Sequence, residues 1–199
     1  MTTTVFFVRH VPHEHQGRLH VGRMDGVQLA QGSAERLAKL TARFAGERLD
    51  AVYASPVLRT QLTAAAVARS DALEVRTLEG LTEIDAGEWT GRAFADFAED
   101  PRREAWDRAR SLNRTPGGET MLEVQCRVIA ALEHVRARHP EERVALVSHG
   151  DPLKTALLYL LGMPLDAYDR FELDPGSVST AVVGDWGAKI LNLNERVIV

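Results

Sequence analysis

The sequence predicts an α/β fold: a mostly parallel sheet with helices on both faces, closed by an antiparallel edge. Three observations predict it. VFFV at 5–8, AVYA at 51–54 and VALVS at 144–148 are short, continuous apolar runs, as expected of strands covered on both faces. Segments with helical spacing of apolar residues alternate with these runs, which argues for a layered α/β arrangement. Near the end, VSTAVV and AKILNL flank Gly-Asp-Trp-Gly, a hairpin signature that supplies the antiparallel edge.

The elements follow in order. VFFV runs into Arg9 and His10 with no turn residue between them. Residues 28–44 place Leu37, Leu40 and Phe44 on one helical face, with Gly46 near the stop. After AVYA, Ser55-Pro56 reads as an N-cap with proline at the first helical position, opening a helix over 57–69. LEVRTL at 73–78 alternates as a third strand. Residues 80–118 are the least regular part, with two short helical pieces and a break at Pro-Gly-Gly, 116–118. A long amphipathic helix spans 120–138, ending before Pro140. VALVS ends in His149, and Asp151-Pro152 opens a helix through Leu161. The 199 residues carry no internal repeat, low-complexity tract or linker, so residues 1–199 are expected to form a single domain with a real core.

Composition removes several classes of function. Apolar residues are 45% and charged residues 26% of the chain, in the range of globular domains and not of disordered ones. The net charge of −4 has both signs mixed, with no basic face for nucleic acid. ALLYLLGMPL, the most apolar stretch, is too short for a bilayer, so no membrane partner is expected. The start lacks a basic region followed by an apolar stretch and a small-residue cleavage site, so a signal peptide is not expected and a cytoplasmic location is. The lone cysteine, Cys126, excludes an intrachain disulfide and a multi-thiolate metal site. Its apolar helical surroundings lead us to expect a buried thiol.

Two strands thus end on histidines. If those strands are neighbours, His10 and His149 face one crevice outside the carboxyl edge of the sheet. AVYA ends at the same edge and leads to Arg59 on the first turn of its helix. Arg9, His10, Arg59 and His149 would then form one positively polarised pocket. Two guanidiniums offer paired donors to a tetrahedral oxyanion, and a helix N-terminus adds backbone N–H groups. Such a pocket suits phosphate ahead of sulfate. Each residue taken singly also has an ordinary structural explanation, as a surface arginine, a helix cap or a core histidine.

The same residues lie in a series of blocks that resembles the histidine phosphatase superfamily, specifically its phosphoglycerate-mutase-like branch. VRHV at 8–11 matches the Arg-His-Gly motif apart from its glycine, and SPVLRTQLTA at 55–64 matches the block whose arginine binds phosphate. LTEIDAGEWTG at 81–91 resembles the segment supplying the acidic proton donor. PGGET at 116–120 and VSHGD at 147–151 match two further blocks. Order and spacing agree from residue 5 to about 180. The resemblance implies a phosphoglycerate-mutase-like, three-layer α/β/α sandwich. It implies His10 as the nucleophile, Glu83 as the proton donor, and Arg9, Arg59 and His149 as phosphate ligands. It implies no cofactor and no metal. Residues 92–115 are implied to be a specificity or lid insertion over the pocket.

Departures from the family pattern are Val11 for glycine, Gln16 for a common Asn, Leu62 for a usual Gln, and Asp151 at a position often held by glycine. None removes a charged catalytic group. Gln16 and Val11 are candidate substrate-binding residues, with Val11 expected at a negative φ and narrowing the pocket entrance. Asp85 rivals Glu83 as the donor. His13, His15 and His20 invite a metal reading, but no acidic cluster of matching spacing accompanies them, so they read as pocket rim or solvated loop. The expected activity is metal-independent hydrolysis of a small phosphorylated metabolite through a phosphohistidine. Phosphoglycerate mutase, α-ribazole or sugar-bisphosphate phosphatase, protein-phosphohistidine phosphatase, and a phospho-ligand-binding module with vestigial activity are the alternatives. The 24 residues of 92–115 mix six arginines with five acids and announce no polyanionic substrate.

Overall fold

Strands β1 (Thr2–Arg9), β2 (Ala51–Ala54), β3 (Val75–Thr77), β4 (Arg143–Ser148), β5 (Val178–Gly184) and β6 (Gly187–Glu195) hydrogen-bond into one sheet. The sheet belongs to a computed structural model that describes residues 1–197, Ser70 by its backbone only. Its order is β3-β2-β4-β1-β5-β6, parallel from β3 to β1 and antiparallel at β5 and β6. The expected sheet with an antiparallel edge is the one observed.

Alternation along β1 explains why its apolar run is continuous. Val5 and Phe7 pack into a core with α4 (Met121–Arg138) and α5 (Gly150–Leu160). Phe6 and Val8 point the other way, into a core with α1 (Ser33–Phe44) and α2 (Leu58–Ala68). With both faces covered, the strand has no polar side to display. A third cluster lies beyond the sheet edge. There Trp89 stacks on Phe97 at 5.3 Å between ring centroids, and Trp106 of α3 (Pro101–Arg108) packs alongside them against Met121, Val124 and Leu158. This cluster fixes the irregular stretch between 82 and 108 to the body of the domain.

Several expected boundaries shift, each for a local reason. The first helix begins at Ser33, because Leu29 bridges to His13 and Gly32 adopts a φ of 82°. The second begins at Leu58: Ser55 Oγ meets the ring of His149 at 2.8 Å and takes only a long 3.4 Å bond from the Val57 N–H, while its carbonyl accepts from Thr60 and Gln61. The third strand shortens to Val75–Thr77. The region of 80–118 holds one α-helix, α3, and single 3-10 turns at Glu79–Leu81, Gly87–Trp89 and Phe94–Phe97. Cys126 is exposed and not buried, a correction to the reading from its neighbours. Val124 and Val128 face the core, and a residue midway between them lies about 200° around the helix from each, on the outer face.

Candidate active site

The register of β1 against β4 pairs Val8 with Val147 and Arg9 with Ser148, so the two strands end level. His10 and His149 therefore leave the sheet side by side, with ring centroids 5.2 Å apart. Arg9, His10, Gln16, Arg59 and Glu83 line one cleft of about 300 Å3, with Gly150 and Asp151 at the N-terminus of α5. His149 sits immediately behind this wall and is fully buried.

Each side chain is held by a nameable contact. Nδ1 of His10 lies 2.7 Å from the carbonyl of Val11. A carbonyl only accepts, so Nδ1 carries the proton and Nε2 keeps its lone pair. Burial, followed by the charges of Arg59 and Arg9, pushes the His10 pKa well below the usual histidine value, so the ring is neutral at physiological pH. His149 is depressed likewise, by burial first and then by Arg59. Its Nε2 lies 2.8 Å from Ser55 Oγ, and its Nδ1 faces Glu83 Oε2 at 4.0 Å.

Both arginines hold donors in reserve, Arg59 fully buried and Arg9 partly so. Arg59 gives one N–H group to the Gly22 carbonyl at 2.7 Å, while its Nε and other amino group have no partner among the described residues. Arg9 is tethered to the Leu173 carbonyl, and its buried Nε is likewise unpartnered. The Arg9 guanidinium packs against Gly150 at the start of α5. Unpaired buried guanidinium donors are costly unless an anion meets them. The site is a built anion receptor.

Glu83 opposes that charge from the other wall. Its Oε1 accepts the Ile84 N–H at 2.9 Å. Burial, reinforced by the charge of Asp151, pushes its pKa up to about 7, against the lowering influence of that N–H, Arg59 and Arg9. Asp85 is turned away: it accepts the Gly87 N–H at 3.0 Å and lies 4.0 Å from Arg23, outside the cleft. Of the two rival acids, Glu83 lines the cleft and Asp85 does not.

A clamp that the sequence did not announce fixes the backbone of Glu83. Arg23 and Arg127 both donate to its carbonyl, at 2.8 and 3.1 Å. Glu119 bridges the two arginines at 2.8 and 3.0 Å and also accepts the Asp85 N–H at 2.9 Å. Glu119 belongs to the PGGET block, whose second glycine, Gly118, presses against the acidic segment with no room for a side chain. A Cβ on Gly118 would fall 2.1 Å from the Asp85 carbonyl oxygen.

One candidate needs revision. Val11 has an ordinary negative φ, as expected, but its side chain does not narrow the entrance. It is fully buried with Phe6, Val8 and Leu40, because the chain turns it into the core that its neighbours in β1 already fill. It therefore contributes a carbonyl to His10 and no contact surface to a substrate. Among the other histidines, His13 is buried with its ring 5.7 Å from His10, and both it and His20 line the cleft, while His15 sits half-buried beside Glu14. Residues 92–115 supply Phe94, Arg103, Trp106, Arg110 and Thr115 to the outer wall.

The chain belongs to the histidine phosphatase superfamily, branch 1, whose family profile matches residues 5–196. It is a histidine phosphatase, an enzyme of the phosphoric monoester hydrolase class. Phosphoserine phosphatase 1 of Hydrogenobacter thermophilus is 34% identical over 181 residues, which cover 87% of this chain and 85% of that protein. A protein named probable phosphoglycerate mutase GpmB, from Yersinia enterocolitica, is 33% identical over 182 residues, covering 88% and 82%. The solved structure of Bacillus stearothermophilus YhfR is similar with a TM-score of 0.90 at 26% identity, over 98% of each chain. Among the described residues, no helix is long and apolar enough to cross a membrane.

The clamp yields a structural prediction. Gly118→Ala should destabilise the fold by about 1–3 kcal/mol, the range for overpacking against an unyielding neighbour. It should also lower turnover of alkyl phosphates, by displacing the segment that carries Glu83. Thermal unfolding of the variant unchanged from the parent would show that the two loops do not press together.

Proposed function

We propose that this enzyme hydrolyses small phosphomonoesters through a phosphohistidine on Nε2 of His10, without a metal. The observation that carries this reading is the state of the His10 ring: neutral, with Nδ1 donating to Val11 and Nε2 left free at the anion receptor. Nε2 attacks phosphorus, the N–P bond forms, and the P–O bond to the leaving group breaks as Glu83 delivers a proton to that oxygen. Water then attacks the phosphohistidine, Glu83 takes its proton, and inorganic phosphate leaves with His10 restored. Arg9 and Arg59 bear on the equatorial oxygens, supplying the charge that a divalent cation provides in other phosphoryl-transfer sites. Neutral His149, behind them, has an Nδ1 without a partner among the described residues to turn toward the phosphate.

Relatives carry names of two activities, hydrolase and mutase. A mutase must shield its phosphohistidine from water while a bound intermediate reorients. Here 92–115 is short, and two of its three aromatic side chains, Phe97 and Trp106, are committed to the cluster with Trp89, while Phe94 lines the cleft. We read it as a fixed specificity wall, and water as the acceptor. The relative named for phosphoserine makes phosphorylated amino acids the first substrates to test. The enzyme should release inorganic phosphate from phosphomonoesters in the presence of a strong chelator and barely interconvert 2- and 3-phosphoglycerate. Isomerisation with negligible phosphate release would overturn the hydrolase reading. Activity lost to the chelator and restored by a divalent cation would overturn metal independence.

Glu83 sets the pH dependence. As a proton donor with a pKa of about 7, it is competent below that value, so kcat/KM for alkyl phosphates should fall as pH rises through about 7. Histidine 10 titrates well below neutrality and contributes no limb there. Glu83→Gln should cost about 10^2- to 10^4-fold in kcat/KM on alkyl phosphates, far less on activated aryl phosphates, and should erase the alkaline limb. An equal loss on both leaving groups would remove Glu83 from the donor role.

A further inference from the structure

The outer half of the cleft is built around Tyr168, which the reaction above does not use. The Arg110 guanidinium lies 4.1 Å from the centre of its ring, and the Lys154 ammonium lies 4.1 Å from the same centre. Its hydroxyl donates to Oδ1 of Asp151. Burial holds that hydroxyl well above the usual tyrosine pKa, so it remains a donor. All four side chains line the cleft. A carboxylate and two cations therefore surround one aromatic ring, in the same cleft of about 300 Å3 that His10 lines.

The charges are not equivalent. Lys154 is 6% exposed and already engaged, with Glu172 at 3.3 Å and the Tyr168 carbonyl at 3.2 Å. Arg110, from the 92–115 segment, gives one amino group to Asp107 at 2.7 Å and leaves its Nε without a partner among the described residues. Asp151 uses Oδ1 for Tyr168 and stands in the first turn of α5, beside a receptor for dianionic phosphate, where a carboxylate repels the ligand the pocket is built for. That placement has a use if the substrate brings a positive charge of its own. A second phosphate would meet Asp151, and a lone ammonium would meet Arg110. Wrong partners are rejected by the charge they fail to match. A group carrying both signs on adjacent atoms satisfies both side chains.

We propose that Asp151 and Arg110 are specificity residues that read a zwitterion, Asp151 accepting from a substrate ammonium and Arg110 donating to a substrate carboxylate, so that the preferred substrates are phosphorylated α-amino acids. The proposal rests on the phosphatase reading and deepens it. It also gives a direct contact with substrate to Asp151, a departure from the family pattern that otherwise enters the reaction only through its charge on Glu83.

The test compares kcat/KM for O-phosphoserine, its des-amino analogue 3-phosphooxypropanoate, its decarboxy analogue O-phosphoethanolamine, and p-nitrophenyl phosphate. O-phosphoserine should exceed each single-charge analogue by about tenfold or more, the loss expected when a hydrogen bond to a charged group goes unmade. Asp151→Asn should collapse the preference over the des-amino analogue and keep the preference over O-phosphoethanolamine. Arg110→Met should do the reverse. Because these are ratios, a shift in the proton donor's pKa common to all alkyl substrates cancels. Comparable rates for the three alkyl phosphates in the parent enzyme, with p-nitrophenyl phosphate turned over, would overturn the zwitterion reading and leave the phosphatase standing. No turnover of any of the four would overturn both. Variants that keep the parent's ratios would remove Asp151 and Arg110 from recognition.

Discussion

The parallel pairing of β1 with β4 is the constraint on which the site depends. Arg9 lies opposite Ser148, and the next residue of each strand is a histidine. A slip of one residue would turn Val5 and Phe7 out of one core and Phe6 and Val8 out of the other, and would also separate the two imidazoles. Stability and catalysis therefore draw on the same register. The apolar faces of the strands fix it, and the polar residues at their ends inherit the geometry.

Electrostatics then divide labour within a small volume. Two arginines and a helix N-terminus make the inner cleft attractive to a dianion, and burial with the charge of the arginines keeps His10 neutral, as the proposed nucleophile must be. Burial and Asp151 act in the opposite sense on Glu83 and keep it protonated up to about neutral pH. A base that must be neutral and an acid that must be protonated thus coexist, because the field of one wall does not cancel at the other. The backbone clamp of Arg23, Arg127 and Glu119 holds the acid where that field acts.

Much of this was legible in the sequence, and the reason is physical. Histidines that end apolar runs stand out because nothing in a buried strand calls for them, and Arg59 follows from a strand end leading into a helix. The fold class followed from alternation and the terminal hairpin. What could not be read depends on contacts distant in the chain. Ser55 looks like a helix cap locally, yet its hydroxyl is claimed by His149, a partner 94 positions away. Val11 looked like pocket lining because it follows the nucleophile, whereas the turn after β1 sends it inward. Glu119 lies 36 positions from Glu83, and its tie to the acid runs through Arg23 and Arg127, residues with no local signature. Cys126 was misplaced by composition, where helical phase would have put it outside.

The central claim is that the phosphoryl group passes through Nε2 of His10. Rapid mixing with labelled phosphomonoester, quenched in alkali and followed by peptide mapping and phosphorus NMR, tests it most directly. The account predicts an acid-labile, alkali-stable phosphoryl group on Nε2 of residue 10, formed and lost at rates compatible with turnover and absent in His10→Ala. Label retained in His10→Ala, or turnover by that variant at the parent's rate, would contradict it.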